Sequence, residues 1–234
     1  MKLFLLTRLS CSLAALLVLV GMILPAELCS TAQAADSHAK NSRGFVSLFD
    51  GKSLDDWQGQ KEGYKVVDGI LASKKGAAGK ILTKKEYSDF VFRFEFKLSP
   101  GANNGVGLRA PLEGDAAYAG MECQILDDTA DKYKNLKPYQ AHGSIYGVAP
   151  AKRGHLKPVG EWNKERIRCV GRHVTVTLNG VKIVDVDLDE ASRDGTIDGN
   201  KHPGLKRKKG FIGFLSHGDA IEFRNIKIKD LSKK

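Results

Sequence analysis

The chain has 234 residues, 42% of them hydrophobic, with 37 Lys+Arg against 27 Asp+Glu and a formal net charge of +10. That apolar content can bury one sizeable core, which excludes a disordered chain. The basic excess collects in loops and tails such as Lys206-Arg-Lys-Lys209 and Lys233-Lys234, which argues for a solvated basic surface and against a nucleic-acid partner.

Lys2 and Arg8 precede an apolar run from Leu13 to Leu24, and Ala32-Gln-Ala34 follows as a small-residue cleavage pattern. The run is too short for a good membrane span, so residues 1–34 read as a signal peptide and the protein as exported, to the periplasm or outside the cell. A lipid anchor on Cys29 is disfavoured because Ala26-Glu-Leu28 lacks the small residues such a site prefers. Residues 35–44 are polar and small, a linker, and one domain is expected over 45–232. After cleavage only Cys123 and Cys169 remain. Both fall at apolar positions of strand-like segments and read as buried thiols rather than a disulfide. No His/Cys cluster has structural zinc spacing, and no metal or other cofactor is expected.

From Phe45 onward short alternating runs are separated by Gly, Asn and Asp. Strands are predicted at 45–49, 64–67, 70–73, 80–83, 89–98, 104–109, 121–126, 143–148, 164–170, 173–178, 181–187, 210–217 and 220–229. Asp68-Gly69 and Asn179-Gly180 are two-residue hairpin turns. Phe90, Phe92, Phe94 and Phe96 put an aromatic stripe on one face of a long strand, which reads as core. Ile221–Ile228 changes phase, and a β-bulge near Arg224-Asn225 explains it. Many short strands without a long helix predict an all-β fold, an antiparallel two-sheet β-sandwich. Residues 127–142 and 149–162 are long loops, of the length that carries function or forms lids. Nothing signals an oligomer beyond a monomer or weak homo-oligomer.

Within this pattern Met121, Cys123 and Ile125 alternate with Glu122 and Gln124, so the two sets occupy opposite sheet faces. Upstream, Val106 and Leu108 share one face, and Asn103 and Arg109 share the other. An arginine, a glutamate and two amides on one face make a polar site suited to a sugar-sized ligand. The structural alternative is an Arg109–Glu122 ion pair. His142 shares phase with Ser144 and Tyr146, and His217 with Gly213 and Leu215. Both histidines suit proton transfer near neutral pH. Tyr146 and Trp162 could stack on a sugar ring or pack in the core, whereas Trp57 reads as core. Asp127 and Asp128 could bind sugar hydroxyls or a cation, or cap a turn, the reading favoured for Asp128. His38, His155, His173 and His202 read as surface residues.

Several segments occur in a familiar order: Phe45-Val-Ser-Leu-Phe-Asp-Gly-Lys-Ser-Leu-Asp-Asp-Trp57, Leu98-Ser-Pro-Gly-Ala-Asn-Asn-Gly-Val-Gly-Leu-Arg109, Met121-Glu-Cys-Gln-Ile-Leu-Asp127, Gly143-Ser-Ile-Tyr-Gly147, Gly160-Glu-Trp-Asn163, Leu178-Asn-Gly180, Gly213-Phe-Leu-Ser-His-Gly-Asp219 and Phe223-Arg-Asn-Ile226. The series, from about Phe45 to Leu231, resembles the 3-keto-disaccharide hydrolase domain family. The resemblance implies a concanavalin-like jelly roll and a carbohydrate substrate already oxidised at sugar carbon 3. It implies cleavage by elimination and hydration, a net hydrolysis, with a non-catalytic carbohydrate-binding module as the alternative. The chemistry needs a base, a donor for the enolate oxygen and an acid for the leaving oxygen. On this reading Glu122 is base or acid, Arg109 holds the keto or enolate oxygen, and His142 and His217 transfer protons. Asn103, Gln124, Asp127, Tyr146 and Trp162 bind substrate. Cys123 stands where the family more often has Val or Ile, and Ser216 replaces an Asp expected beside His217.

Overall fold

A computed structural model describes residues 44–232. The expected signal peptide and nearly all of the linker lie outside the described residues. The first strands in chain order are β1 (Val46–Ser47), β2 (Trp57–Gly59), β3 (Tyr64–Val67), β4 (Ile70–Ser73), β5 (Ala78–Thr83) and β6 (Phe90–Leu98). There follow β7 (Asn103–Ala110), β8 (Met121–Leu126), β9 (Trp162–Val170), β10 (His173–Leu178), β11 (Val181–Asp187), β12 (Phe211–His217) and β13 (Ile221–Asp230). Two four-residue helices, α1 (Ala116–Ala119) and α2 (Leu188–Ala191), interrupt them.

The strands form the expected all-β, antiparallel two-sheet sandwich. One sheet runs β11-β10-β9-β6-β13-β4-β3, with β1 added along β13, and the other runs β2-β5-β12-β7-β8. The inner faces meet over the predicted aromatic stripe. Phe90, Phe92, Phe94 and Phe96 are buried, and Phe94 meets Phe214 of the opposite sheet edge-on at 5.5 Å. Phe214 stacks on Phe223 at 3.9 Å. Each such ring contributes on the order of 2–3 kcal/mol from burial alone.

Local signals place the turns. Asp68 and Gly69, and Asn179 and Gly180, all take positive φ, as the hairpin turn of their type requires. The register of β13 against β6 slips between Arg224 and Lys227, with Asn225 at φ 54°, which is the bulge the phase change predicts. Cys123 and Cys169 are both free and buried. Burial drives the Cys123 thiol well above its ordinary pKa and Cys169 to about 11, so both behave as core hydrophobes.

The expected strand at 143–148 does not form. Residues 143–146 do lie along the edge of β8, with backbone hydrogen bonds Gly143 N to Gln124 O, Gln124 N to Ser144 O and Tyr146 N to Glu122 O at 2.7–3.0 Å. Gly147 at φ 71° and the Val148 N to Ile145 O turn then reverse the chain. No helix among the described residues is long and apolar enough to cross a membrane.

Candidate active site

The site lies on the outer face of the five-stranded sheet, where β8, β7 and β12 lie side by side. On β8 the core takes Met121, Cys123 and Ile125, so period-two geometry turns Glu122 and Gln124 outward. Opposite them the register sets Gly107 against Glu122 and Gly105 against Gln124. These glycines clear the floor. A methyl group on Gly105 would overlap the Glu122 carboxylate, so the side chain lies flat across bare backbone of β7.

Above this floor is a hollow of about 240 Å³, lined in part by Asn103, Tyr118, Glu122, Gln124, Tyr146 and His217. Three buried oxygens in it, Asn103 Oδ1, Glu122 Oε1 and Gln124 Oε1, have no hydrogen-bond partner. Buried polar atoms are rarely left in that condition, and three converging on one hollow mark a place where a polar ligand supplies the missing partners. His217 Nε2 stands 3.9 Å from Glu122 Oε1, too far for a hydrogen bond but close enough to feel the charge. Glu122 is the main reason that the His217 pKa is raised above its ordinary 6.5, burial opposing it and Asp115 and Asp219 adding to it. No grouping of three or more His, Cys, Asp or Glu among the described residues is arranged for a metal ion.

Five of the nine residues singled out from the sequence thus line one hollow: Asn103, Glu122, Gln124, Tyr146 and His217. The other four stand elsewhere. Arg109 sits where β7 slips its register against β12, and it takes φ 49°. That bulge cancels the alternation that would have aimed it at the hollow. Its buried guanidinium instead donates to Ser88 O, Gly171 O, Arg207 O and Asp89 Oδ1 at 2.7–3.3 Å. The alternative, an Arg109–Glu122 ion pair, is absent as well, since the carboxylate partner of Arg109 is Asp89.

His142 is turned inward because Gly143, at φ 78°, breaks the extended phase shared with Tyr146. Its ring packs 5.1 Å from Phe96. Leu126 N–H donates to its Nδ1 at 3.2 Å, and its Nε2 lies 3.1 Å from the buried Glu165 Oε2. An accepting Nδ1 places the ring proton on Nε2, facing that carboxylate. Asp127 organises the loop after β8, accepting from Gly101 N at 2.7 Å and from Thr129 Oγ1 at 2.6 Å. Trp162 is on the other sheet, where Arg224 stacks on it at 3.9 Å and Lys97 lies 5.1 Å from its ring.

Tyr118 in α1, together with Tyr133 and Gln140 from the long loop after β8, also lines the hollow, and none of the three stands out in the sequence. His202, read as a surface residue, is buried. Its Nε2 is 3.0 Å from Asp198 Oδ2, and its ring lies 4.7 Å from that of Tyr118. Burial opposes ionisation of Asp198, but hydrogen bonds from His202, Asn200 and Thr196 outweigh it and hold the carboxyl far below its ordinary range. The pair backs Tyr118 from behind. It arises from a loop, where no periodicity could announce it.

The comparisons with known proteins agree with this architecture. The chain is 26% identical to the 3-keto-disaccharide hydrolase of Bacteroides thetaiotaomicron, covering 80% of this chain and 79% of that one. A crystal structure of a candidate glycosyl hydrolase from Parabacteroides distasonis superposes with a TM-score of 0.71 at 37% identity, covering 80% of this chain and 99% of that one. A second from the same organism gives 0.70 at 25% identity, covering 83% and 99%. The profile of the 3-keto-alpha-glucoside-1,2-lyase-like domain matches residues 44–229, and the chain belongs to that family.

Proposed function

We propose that this protein is an exported hydrolase that cleaves 3-keto-glycosides by elimination across carbons 1 and 2 of the sugar followed by hydration. Family membership supports the glycoside-cleaving class. The observation that carries the finer reading is the buried Glu122 carboxylate, whose Oε1 has no hydrogen-bond partner and stands 3.9 Å from a histidine whose charged form it favours. Export rests on the N-terminal basic, apolar and Ala32-Gln-Ala34 pattern.

A ketone at carbon 3 acidifies the carbon 2 proton. Glu122 takes that proton, and the electrons flow into the enolate. Amide groups of Asn103 and Gln124 lie within the same hollow to orient hydroxyls and the oxygen that gains charge. The enolate collapses to form the carbon 1–carbon 2 double bond and breaks the bond from carbon 1 to the aglycone oxygen. His217, protonated, gives that oxygen its proton. Water then adds across the double bond, oxygen to carbon 1 and a proton to carbon 2. The sum is hydrolysis, with no net redox change. An ordinary glycosidase would place two carboxyl groups across the bond, whereas here Glu122 is paired with an imidazole and the other carboxylate of the hollow, Asp115, caps α1 by accepting from Ala117 N.

The test is incubation of the purified protein with a 3-keto-glucoside and with its parent glucoside, following aglycone release and transient enone absorbance. Release from the keto sugar alone supports the reading. Saturable sugar binding without release from either would instead make the chain a carbohydrate-binding module.

A further inference from the structure

The hollow that contains Glu122 is one half of a longer groove. A second hollow of about 330 Å³ adjoins it, and the two share Asp115, Glu122 and His217 as lining residues. The proton-transfer pair therefore stands at the junction between two compartments. A bond cleaved at that junction puts its two substituents on opposite sides.

The compartments differ in chemistry. The first has three tyrosines and the unpaired oxygens of Asn103, Glu122 and Gln124. In the second, Lys80, Gln60 and Ser216 each bond the protein. Lys80 Nζ donates to Gly114 O at 2.8 Å, Gln60 Oε1 accepts from Lys80 N at 2.9 Å, and Ser216 Oγ donates to Ala77 O at 3.0 Å. Its lining contains no Tyr, Trp or Phe ring on which a sugar could stack. The floor is instead apolar. Leu215 and Ala116 line it and belong to a small cluster with Leu82 and Ala110, separate from the main core. Leu112 stands at the rim, 39% exposed.

We infer that the second compartment is an aglycone subsite that takes an apolar, non-sugar alcohol, while the first holds the keto sugar. The inference rests on the reaction proposed above. A sugar leaving group finds no ring to stack on in this compartment, whereas an aryl or alkyl group gains by covering Leu112 and the apolar floor of Leu215 and Ala116.

The experiment compares 2-phenylethyl and methyl 3-keto-glucosides, both with alkoxide leaving groups, on the native protein and on Leu112→Asp. On the native protein the phenylethyl substrate should show about tenfold higher kcat/KM, mainly through KM, the size expected for a partly covered ring. Leu112→Asp should erase most of that advantage and leave the methyl substrate within about twofold of native, and its unchanged melting temperature would show that the fold is intact. Equal kcat/KM for the two substrates, or a variant that slows both alike, would overturn the inference while leaving the reaction standing. Turnover of neither substrate would overturn the reaction and this subsite with it.

Discussion

Arg109 and Glu122 stand on neighbouring strands, both side chains nearly fully buried, and the sequence alone suggests that they work together. Their surroundings are opposite. The guanidinium spends its donors on three backbone carbonyls and a carboxylate. Glu122 Oε1 has no hydrogen-bond partner and faces a hollow. A buried charge that is fully satisfied holds the fold together. One left unsatisfied beside an opening is available for chemistry.

The contrast is tested most sharply by exchanging each charge for a neutral isostere. Glu122→Gln keeps the shape and removes the base, so kcat should fall by about 10³-fold with little change in melting temperature. Turnover within tenfold of native would remove Glu122 from the chemistry. Arg109→Met should do the reverse. It strands the carbonyls of Ser88, Gly171 and Arg207, which costs about 3 kcal/mol of stability. Denaturant unfolding reads that loss, while kcat per folded molecule should be retained.

The same pair shows what a sequence can and cannot reveal. Period-two alternation placed the whole of β8 correctly, because Met121, Cys123 and Ile125 anchor one face in the core and leave Glu122 and Gln124 no alternative. Alternation failed at Arg109 because a bulge intervenes, and at His142 because Gly143 reverses the phase. The interruption at Arg109 has no strong local signature, because Arg109 takes positive φ without being Gly or Asn, whereas Gly143 and Asn225 are residue types that favour it. The sandwich, the Phe stripe and both hairpin turns were legible because they follow from local pattern. Tyr118, Tyr133, His202 and Asp198 come from loops and a single helical turn, which tertiary packing brings to or behind the hollow.

Gly105 sharpens the comparison from the floor. The Glu122 carboxylate lies in the space that a side chain at Gly105 would fill. Gly105→Ala should push that carboxylate by roughly an ångström and lower kcat by about 10²-fold, with a smaller loss of stability. Native-like activity in this variant would mean that the position of Glu122 is less constrained than the bare backbone beneath it implies.

The smallest effect is electrostatic. Glu122 favours the imidazolium of His217, so the folded pKa lies above the ordinary 6.5. The stabilisation is therefore complete below the unfolded-state pKa and is lost as pH rises through the folded one. The His217 side chain is 53% exposed, so solvent screening limits the contribution to stability to about 0.5 kcal/mol. The kinetic consequence is larger, because an acid must be protonated to act. The alkaline limb of kcat/KM should track the His217 midpoint measured by NMR titration, and that midpoint should fall in Glu122→Gln and move down with added salt. If the limb stays fixed while the midpoint moves, the leaving oxygen takes its proton from another group, and Glu122 alone separates this region from the satisfied charge of Arg109.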